Sequence, residues 1–115
     1  MEKVVLFAFN GEVMCFVHVL LTALDMKARG YDVKVVIEGA ATKLVPELAT
    51  PGAAGGMLYF KVKEQGLIDA VCKACSTKMG VLAAVEQEGL PIVDEMSGHP
   101  SMARYIDNGY RVITF

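Results

Sequence analysis

Residues 3 to 9 read KVVLFAF, a β-branched and aromatic run with no charge after Lys3, and no other stretch restricts the fold as strongly. Continuous apolar character over one strand length suits a strand covered on both faces, the situation of parallel sheets flanked by helices. The run ends at Asn10-Gly11. Apolar residues then recur at Val13, Val17, Leu20, Leu21, Leu24 and Met26, a helical stripe that closes at Gly30 after Lys27 and Arg29.

The same alternation continues along the chain. DVKVVIE (32–38) repeats the strand signal, and 42–50 reads as a helix with Pro46 in its first turn, broken by Pro51-Gly52. PGAAGG (51–56) is glycine-rich but lacks the Lys-Ser/Thr pair of a phosphate-binding loop, so it reads as a plain connection. A helix over 57–65, a strand at LIDAV (67–71), a helix over 76–88, a strand at PIVDE (91–95), a short helix opened by His99-Pro100 and ended at Gly109, and a last strand in YRVITF (110–115) complete the reading. Strands alternating with helices imply parallel β-α-β units. The expected architecture is a three-layer α/β/α sandwich with a mainly parallel sheet of about five strands, in a single domain over 1–115.

At 115 residues the chain is the size of one domain with a real core. Its apolar fraction, 54 %, and mean hydropathy, +0.43, are high for so short a chain, which points to apolar surface shared with another subunit, a homo-oligomer. The final VITF strand, with no helix after it, likewise calls for cover within the chain or by a partner. A net charge of −2 with singly scattered Lys and Arg excludes a basic footprint for nucleic acid. The apolar run 13–24 is shorter than the roughly 20 residues that span a bilayer, and 1–9 is interrupted too early for a secretion signal, so a cytoplasmic protein without membrane segments is expected.

In open parallel sheets, ligands bind beyond the carboxyl ends of the strands. That rule gathers the chemically capable residues on one rim: Asn10, Gly11, Cys15 and His18 after the first strand, Glu38 after the second, Cys72, Cys75 and Ser76 after the third, and His99 after the fourth. Asn10, Gly11, Glu38, Ser76 and His99 are accordingly the candidate ligand-pocket residues, with Glu38 either a solvated strand end or a base near the thiols.

VCKACSTKMG (71–80) carries the densest chemistry, because Cys72 and Cys75 lie three positions apart at a strand-to-helix junction. A thiol in the first helical turn can have its pKa lowered, and Lys73 and Lys78 would add to that effect. Three uses follow. A dithiol–disulfide cycle fits the spacing, although the chain lacks an aromatic-Cys-Gly-Pro-Cys setting. A zinc site would draw on Cys72 and Cys75 with Cys15 and His18, which share one face of a helix, or with His99 in place of His18. A thiolate accepting sulfane sulfur as a persulfide is the third. Met14, Met79, Met96 and Met102 lie around the same rim and would furnish a soft, dry surrounding.

VCKACSTKMGV resembles the signature of the DsrE/DsrF-like sulfur-relay family, in which a strand ends at Val-Cys and a helix with a basic residue and a glycine follows. The resemblance extends loosely to chain size, element order and the flexible segment before the third strand. It implies a DsrE-like domain with the family's α/β fold, Cys72 as the persulfide-bearing catalytic cysteine of a sulfur carrier or sulfurtransferase, and Cys75 as a resolving or second carrier thiol. It also implies a cytoplasmic trimer or hexamer that exchanges sulfur with donor and acceptor proteins. The alternative reading from the residues themselves is a zinc-binding or structural homo-oligomer of the same fold, without catalysis.

Overall fold

A computed structural model describes all 115 residues. It contains five parallel strands, β1 (Lys3–Ala8), β2 (Asp32–Ile37), β3 (Ile68–Cys72), β4 (Ile92–Val93) and β5 (Arg111–Thr114), in the order β4-β3-β2-β1-β5. The helices are α1 (Val13–Ala28), α2 (Leu44–Ala49), α3 (Gly56–Glu64), α4 (Lys73–Lys78), α5 (Leu82–Gln87) and α6 (Met102–Asp107), with a 3-10 turn over Gly39–Lys43. The α/β class and the all-parallel five-stranded sheet are those that the alternating pattern implies. No helix is long and apolar enough to cross a membrane.

The strand order accounts for how the layers divide. From β1 to β4 each strand is added beside the previous one, so right-handed crossovers keep their helices on one face. Phe16, Val19, Leu20 and Ala23 of α1, Val45 and Leu48 of α2, Tyr59 and Val62 of α3 and Val85 of α5 form the larger core there, with Val4, Leu6, Val33, Val35, Ile37 and Val71. The step from β4 to β5 runs the other way, across the full width of the sheet, and its helix α6 covers the opposite face. Tyr105 of α6 packs there on Val5, Phe7, Val36 and Ala70, with its ring edge-on to Phe7 at 5.6 Å. Its hydroxyl donates to Asp69 at 2.5 Å, so the Tyr105 ring is held at both ends.

Alternation along the strands then fixes which side chains reach α6. Val36 and Ala70 point to the thin face; Ile37 and Val71 point to the thick one. Glu38 and Cys72, two positions beyond Val36 and Ala70 on backbone that is still extended, therefore return to the thin face. This is the feature that places the site.

Three elements differ most from the sequence reading. The expected helix over 76–88 starts earlier, at Lys73, and is divided into α4 and α5 because Gly80 takes a positive φ of 74°. β4 has two residues rather than five, since Asp94 and Glu95 turn away to pair with Lys73 and Arg104. The last helix starts at Met102 rather than at His99-Pro100, because the Ser101 hydroxyl caps it by accepting from the Arg104 amide. β5 is an edge strand whose outer side no other part of the chain covers, with Ile113 40 % exposed.

Removing the ring that closes the thin face tests this division. Tyr105→Ala is expected to lower the unfolding free energy by about 3–5 kcal/mol, the range for deleting a large buried aromatic, read from the denaturant midpoint at unchanged slope.

Candidate metal and thiol site

The connection from β4 to β5 must cross the carboxyl ends of the strands, and it does so with a tight reversal. Met96 and His99 exchange backbone hydrogen bonds of 2.7 and 2.9 Å around Ser97 and Gly98, both with positive φ, 48° and 92°. Two successive left-handed residues make a turn of the primed kind. A Cβ on Gly98 would stand 3.0 Å from that of Ala74, so the turn packs closely against the start of α4. The Ala74 amide donates to the Gly98 carbonyl at 2.9 Å, which ties the two segments together.

That tie delivers His99 onto the end of the sheet. Its Nδ1 lies 3.0 Å from Cys72 Sγ, 3.6 Å from Glu38 Oε1 and 3.7 Å from Cys75 Sγ. The ligand atoms of all four residues lie within 4.8 Å of one another. Cys72 is fully buried and caps α4, its sulfur accepting from the Cys75 amide at 3.3 Å and facing the Gly98 carbonyl at 3.6 Å. The Glu38 side chain is 8 % exposed and that of His99 37 %. All three cysteines are free thiols.

Burial dominates the electrostatics. It pushes the Cys72 thiol up to about 12, an effect that the Cys75 amide opposes and that the neighbouring Cys75 and Glu38 reinforce. Burial likewise raises the Glu38 carboxyl, against the pull of His99 and Cys72. The expectation of an acidified Cys72 is therefore corrected. α4 has only six residues, and Lys73, one of the two lysines expected to help, turns outward to Asp94 at 3.6 Å.

The candidate residues divide cleanly. Cys72, Cys75, His99 and Glu38 come together; Cys15 and His18 do not join them, because α1 lies on the thick face while the cluster lies on the thin one. The grouping of Cys15 and His18 with the Cys-x-x-Cys pair is thereby replaced by one with Glu38 and His99. Glu38 and His99 also line a cleft of about 380 Å³ with Phe9, Met96, Pro100, Ser101, Met102 and Ala103. Asn10, Gly11 and Ser76 do not line it. Asn10 Oδ1 accepts from the Glu12 amide at the approach to α1, Gly11 lies against Ala40 and Lys43, and Ser76 is fully buried with its hydroxyl unpartnered. Met96 and Met102 do form walls; Met14 and Met79 stand exposed elsewhere. The Gly98 carbonyl is the contributor that side-chain reasoning missed, and the Ser-Gly dipeptide, a turn marker, was its signal.

Reactivity of the metal-free, reduced chain should follow burial. With iodoacetamide at neutral pH, half-buried Cys75 and Cys15 are expected to be modified and Cys72 only after denaturation, as read by peptide mass spectrometry. A thiol whose pKa is raised in the fold favours the fold at low pH and loses that contribution as pH rises through the raised value. Stability of the metal-free chain should therefore fall between pH 9 and about 12, where Tyr59, Tyr105 and Tyr110, whose hydroxyls burial also pushes up, add to the loss, and Cys72→Ala should make this slope shallower without abolishing it, in denaturation curves across that range.

Comparison with a solved structure agrees with this architecture, and comparison with known sequences adds relatives. No protein-family model matches the chain. A solved structure of a conserved protein of unknown function, BT1422 from Bacteroides thetaiotaomicron, has a TM-score of 0.70 over 96 % of this chain and 94 % of that chain, at 18 % identity, a likeness that shows the fold alone. Two uncharacterized proteins of Archaeoglobus fulgidus match shorter parts, one 42 % identical over 41 residues (36 % of this chain, 67 % of the relative), the other 49 % identical over 37 residues (32 % of this chain, all of the relative). The uncharacterized protein MJ0733 of Methanocaldococcus jannaschii is 31 % identical over 96 residues, 84 % of this chain and 76 % of the relative. At that identity and coverage, the chain belongs to the same family as MJ0733.

Proposed function

We propose that the chain is a metal-binding protein that holds one zinc ion on Cys72, Cys75, His99 and Glu38. The observation that carries this reading is the convergence of two sulfurs and a carboxylate oxygen on His99 Nδ1, at 3.0, 3.7 and 3.6 Å. Ligand atoms at the usual zinc distances around a tetrahedron stand about 3.3–3.8 Å apart, so the set needs only small side-chain adjustments to close on an ion. Two soft sulfurs and an imidazole suit zinc, whereas calcium and magnesium seek oxygen. A bound cation would also reverse the penalty on Cys72, because a coordinating thiol is deprotonated outright. The Cys75 amide facing Cys72 Sγ is the outer support that a coordinating thiolate uses.

Such an ion would join three separate segments, the ends of β2 and β3 and the connection after β4. A reducing, cytoplasmic setting suits it, since the thiols must stay unoxidised. Association of copies, as a trimer or hexamer in the DsrE/DsrF-like manner, is supported by the open edge of β5 and by exposed Phe60 and Ile106.

A second reading, sulfur carriage of the DsrE/DsrF type, is favoured by one contact. Cys75, only half-buried, has His99 Nδ1 at 3.7 Å as a base within reach. In that reading the roles expected from the resemblance are exchanged because Cys72 is buried: the Cys75 thiolate takes the outer sulfur of a persulfide donor, which leaves as a thiol, and Cys75 carries it. A persulfide donor given to metal-free, reduced protein would then add one sulfur to the Cys75 peptide.

Elemental analysis decides the leading reading. Protein purified without chelator is expected to carry about one zinc per chain. Cys75→Ser and Cys72→Ser should lose it, and Cys15→Ser and His18→Ala should keep it. Absence of zinc from reduced wild type after exposure to the ion, or full retention in both Cys72→Ser and Cys75→Ser, overturns the assignment.

A further inference from the structure

The cleft over the cluster has a composition that restricts what it can admit. Its walls are Phe9, Met96, Pro100, Met102 and Ala103, so the sides are aromatic, aliphatic and thioether surface. No Lys or Arg lines it. Nearby Arg104 is held by Glu95 through contacts of 2.8 and 2.9 Å and so is not available to an incoming anion. A phosphate or carboxylate would meet no Lys or Arg and would face the Glu38 carboxylate. At about 380 Å³ the space lies near the lower limit for small-molecule sites, about 300–1,000 Å³.

Its two ionisable residues, Glu38 and His99, both belong to the four-residue cluster. The sulfurs differ: Cys72 is fully buried, and neither Cys72 nor Cys75 lines the cleft. An incoming ligand thus meets the cluster on its carboxylate and imidazole side. Of the four donors, the carboxylate is the hard one beside two soft thiolates, which makes Glu38 the member most readily exchanged for a soft donor.

The geometry points to Glu38 as an exchangeable ligand, and to a small aliphatic thiol as the molecule that takes its place from the apolar cleft. This inference rests on the zinc reading above. With zinc held on Cys72, Cys75, His99 and Glu38, the exchange would balance without an oxidant: the thiol would lose its S–H proton to the released Glu38 carboxylate and supply its sulfur as the donor in place of that oxygen. The apolar body of the thiol then lies against Met96, Met102 and Phe9. Selectivity comes from two requirements together, a sulfur head for the metal and an uncharged body for the walls.

Cobalt(II) in place of zinc makes the exchange visible, because each bound thiolate adds sulfur-to-cobalt charge-transfer absorbance. Full-length protein is loaded with cobalt, its metal content measured, and titrated with 1-butanethiol, with 1-butanol and with thioglycolate, which carries a charge. The expected result is a saturable rise with butanethiol, none with butanol, and a response to thioglycolate about tenfold weaker or more. Met102→Glu, which places a charge in the wall, should retain cobalt and weaken butanethiol binding by about tenfold or more. Cobalt bound at one per chain with no response to butanethiol overturns the inference and leaves the metal reading standing. Equal responses to butanethiol and thioglycolate, or an unchanged response in Met102→Glu, also overturn it, because binding would then not use the cleft. Failure to hold cobalt or zinc overturns both readings.

Discussion

One backbone hydrogen bond, from the Ala74 amide to the Gly98 carbonyl, determines where the chain lies as it crosses the sheet. The Met96–His99 reversal, the Gly98 amide donating to the Asp94 carbonyl at 3.2 Å and the pairing of Glu95 with Arg104 shape the segment between β4 and α6, and this bond anchors it to α4. With it, the first turn of α4 and the turn at Ser97-Gly98 become one unit, and Cys72, Cys75 and His99 acquire fixed separations. Glu38 joins because β2 is the neighbour of β3 and the alternation brings Glu38, one residue past β2, and Cys72, the last residue of β3, to the same face. The cluster therefore draws on local chain geometry at three places, on the pairing of β2, β3 and β4, and on the backbone contact between Ala74 and Gly98.

Much of this was readable in the letters. KVVLFAF and DVKVVIE identify buried parallel strands because apolar character there is continuous rather than alternating. The rim rule selected Cys72, Cys75, Glu38 and His99 correctly as residues on the same side of the molecule. Partition between the two faces of the sheet was not readable, since it depends on strand order and on the bulge between β2 and β3 that adjusts the register near Ala70. Cys15 and His18 satisfy the rim rule and fail the face rule. Helix boundaries failed for a similar reason: the Ser101 cap and the positive φ of Gly80 are local choices that a periodic pattern does not reveal.

Burial and reactivity pull the thiols in opposite directions. A helix start beside a strand end is the setting in which a cysteine can become acidic, yet Cys72 is sealed from water, and desolvation outweighs the amide that faces it. Exposure leaves Cys75 as the accessible sulfur of the pair. The likeness to BT1422 bears on the frame around these residues, and chemistry at the strand ends is a separate matter of particular side chains.

The position of β5 has a consequence for how the molecule assembles. β1 to β4 pair with neighbours in sequence, so each β-α-β unit can form soon after its residues are made, whereas β5 pairs with β1 across Val4 and Arg111, near opposite ends of the chain. Until that late closure, one flank of β1 presents unpaired amides and carbonyls along a strongly hydrophobic strand. A nascent chain in this state is open to strand exchange with another copy, and the speed of docking α6 and β5 sets how long that hazard lasts.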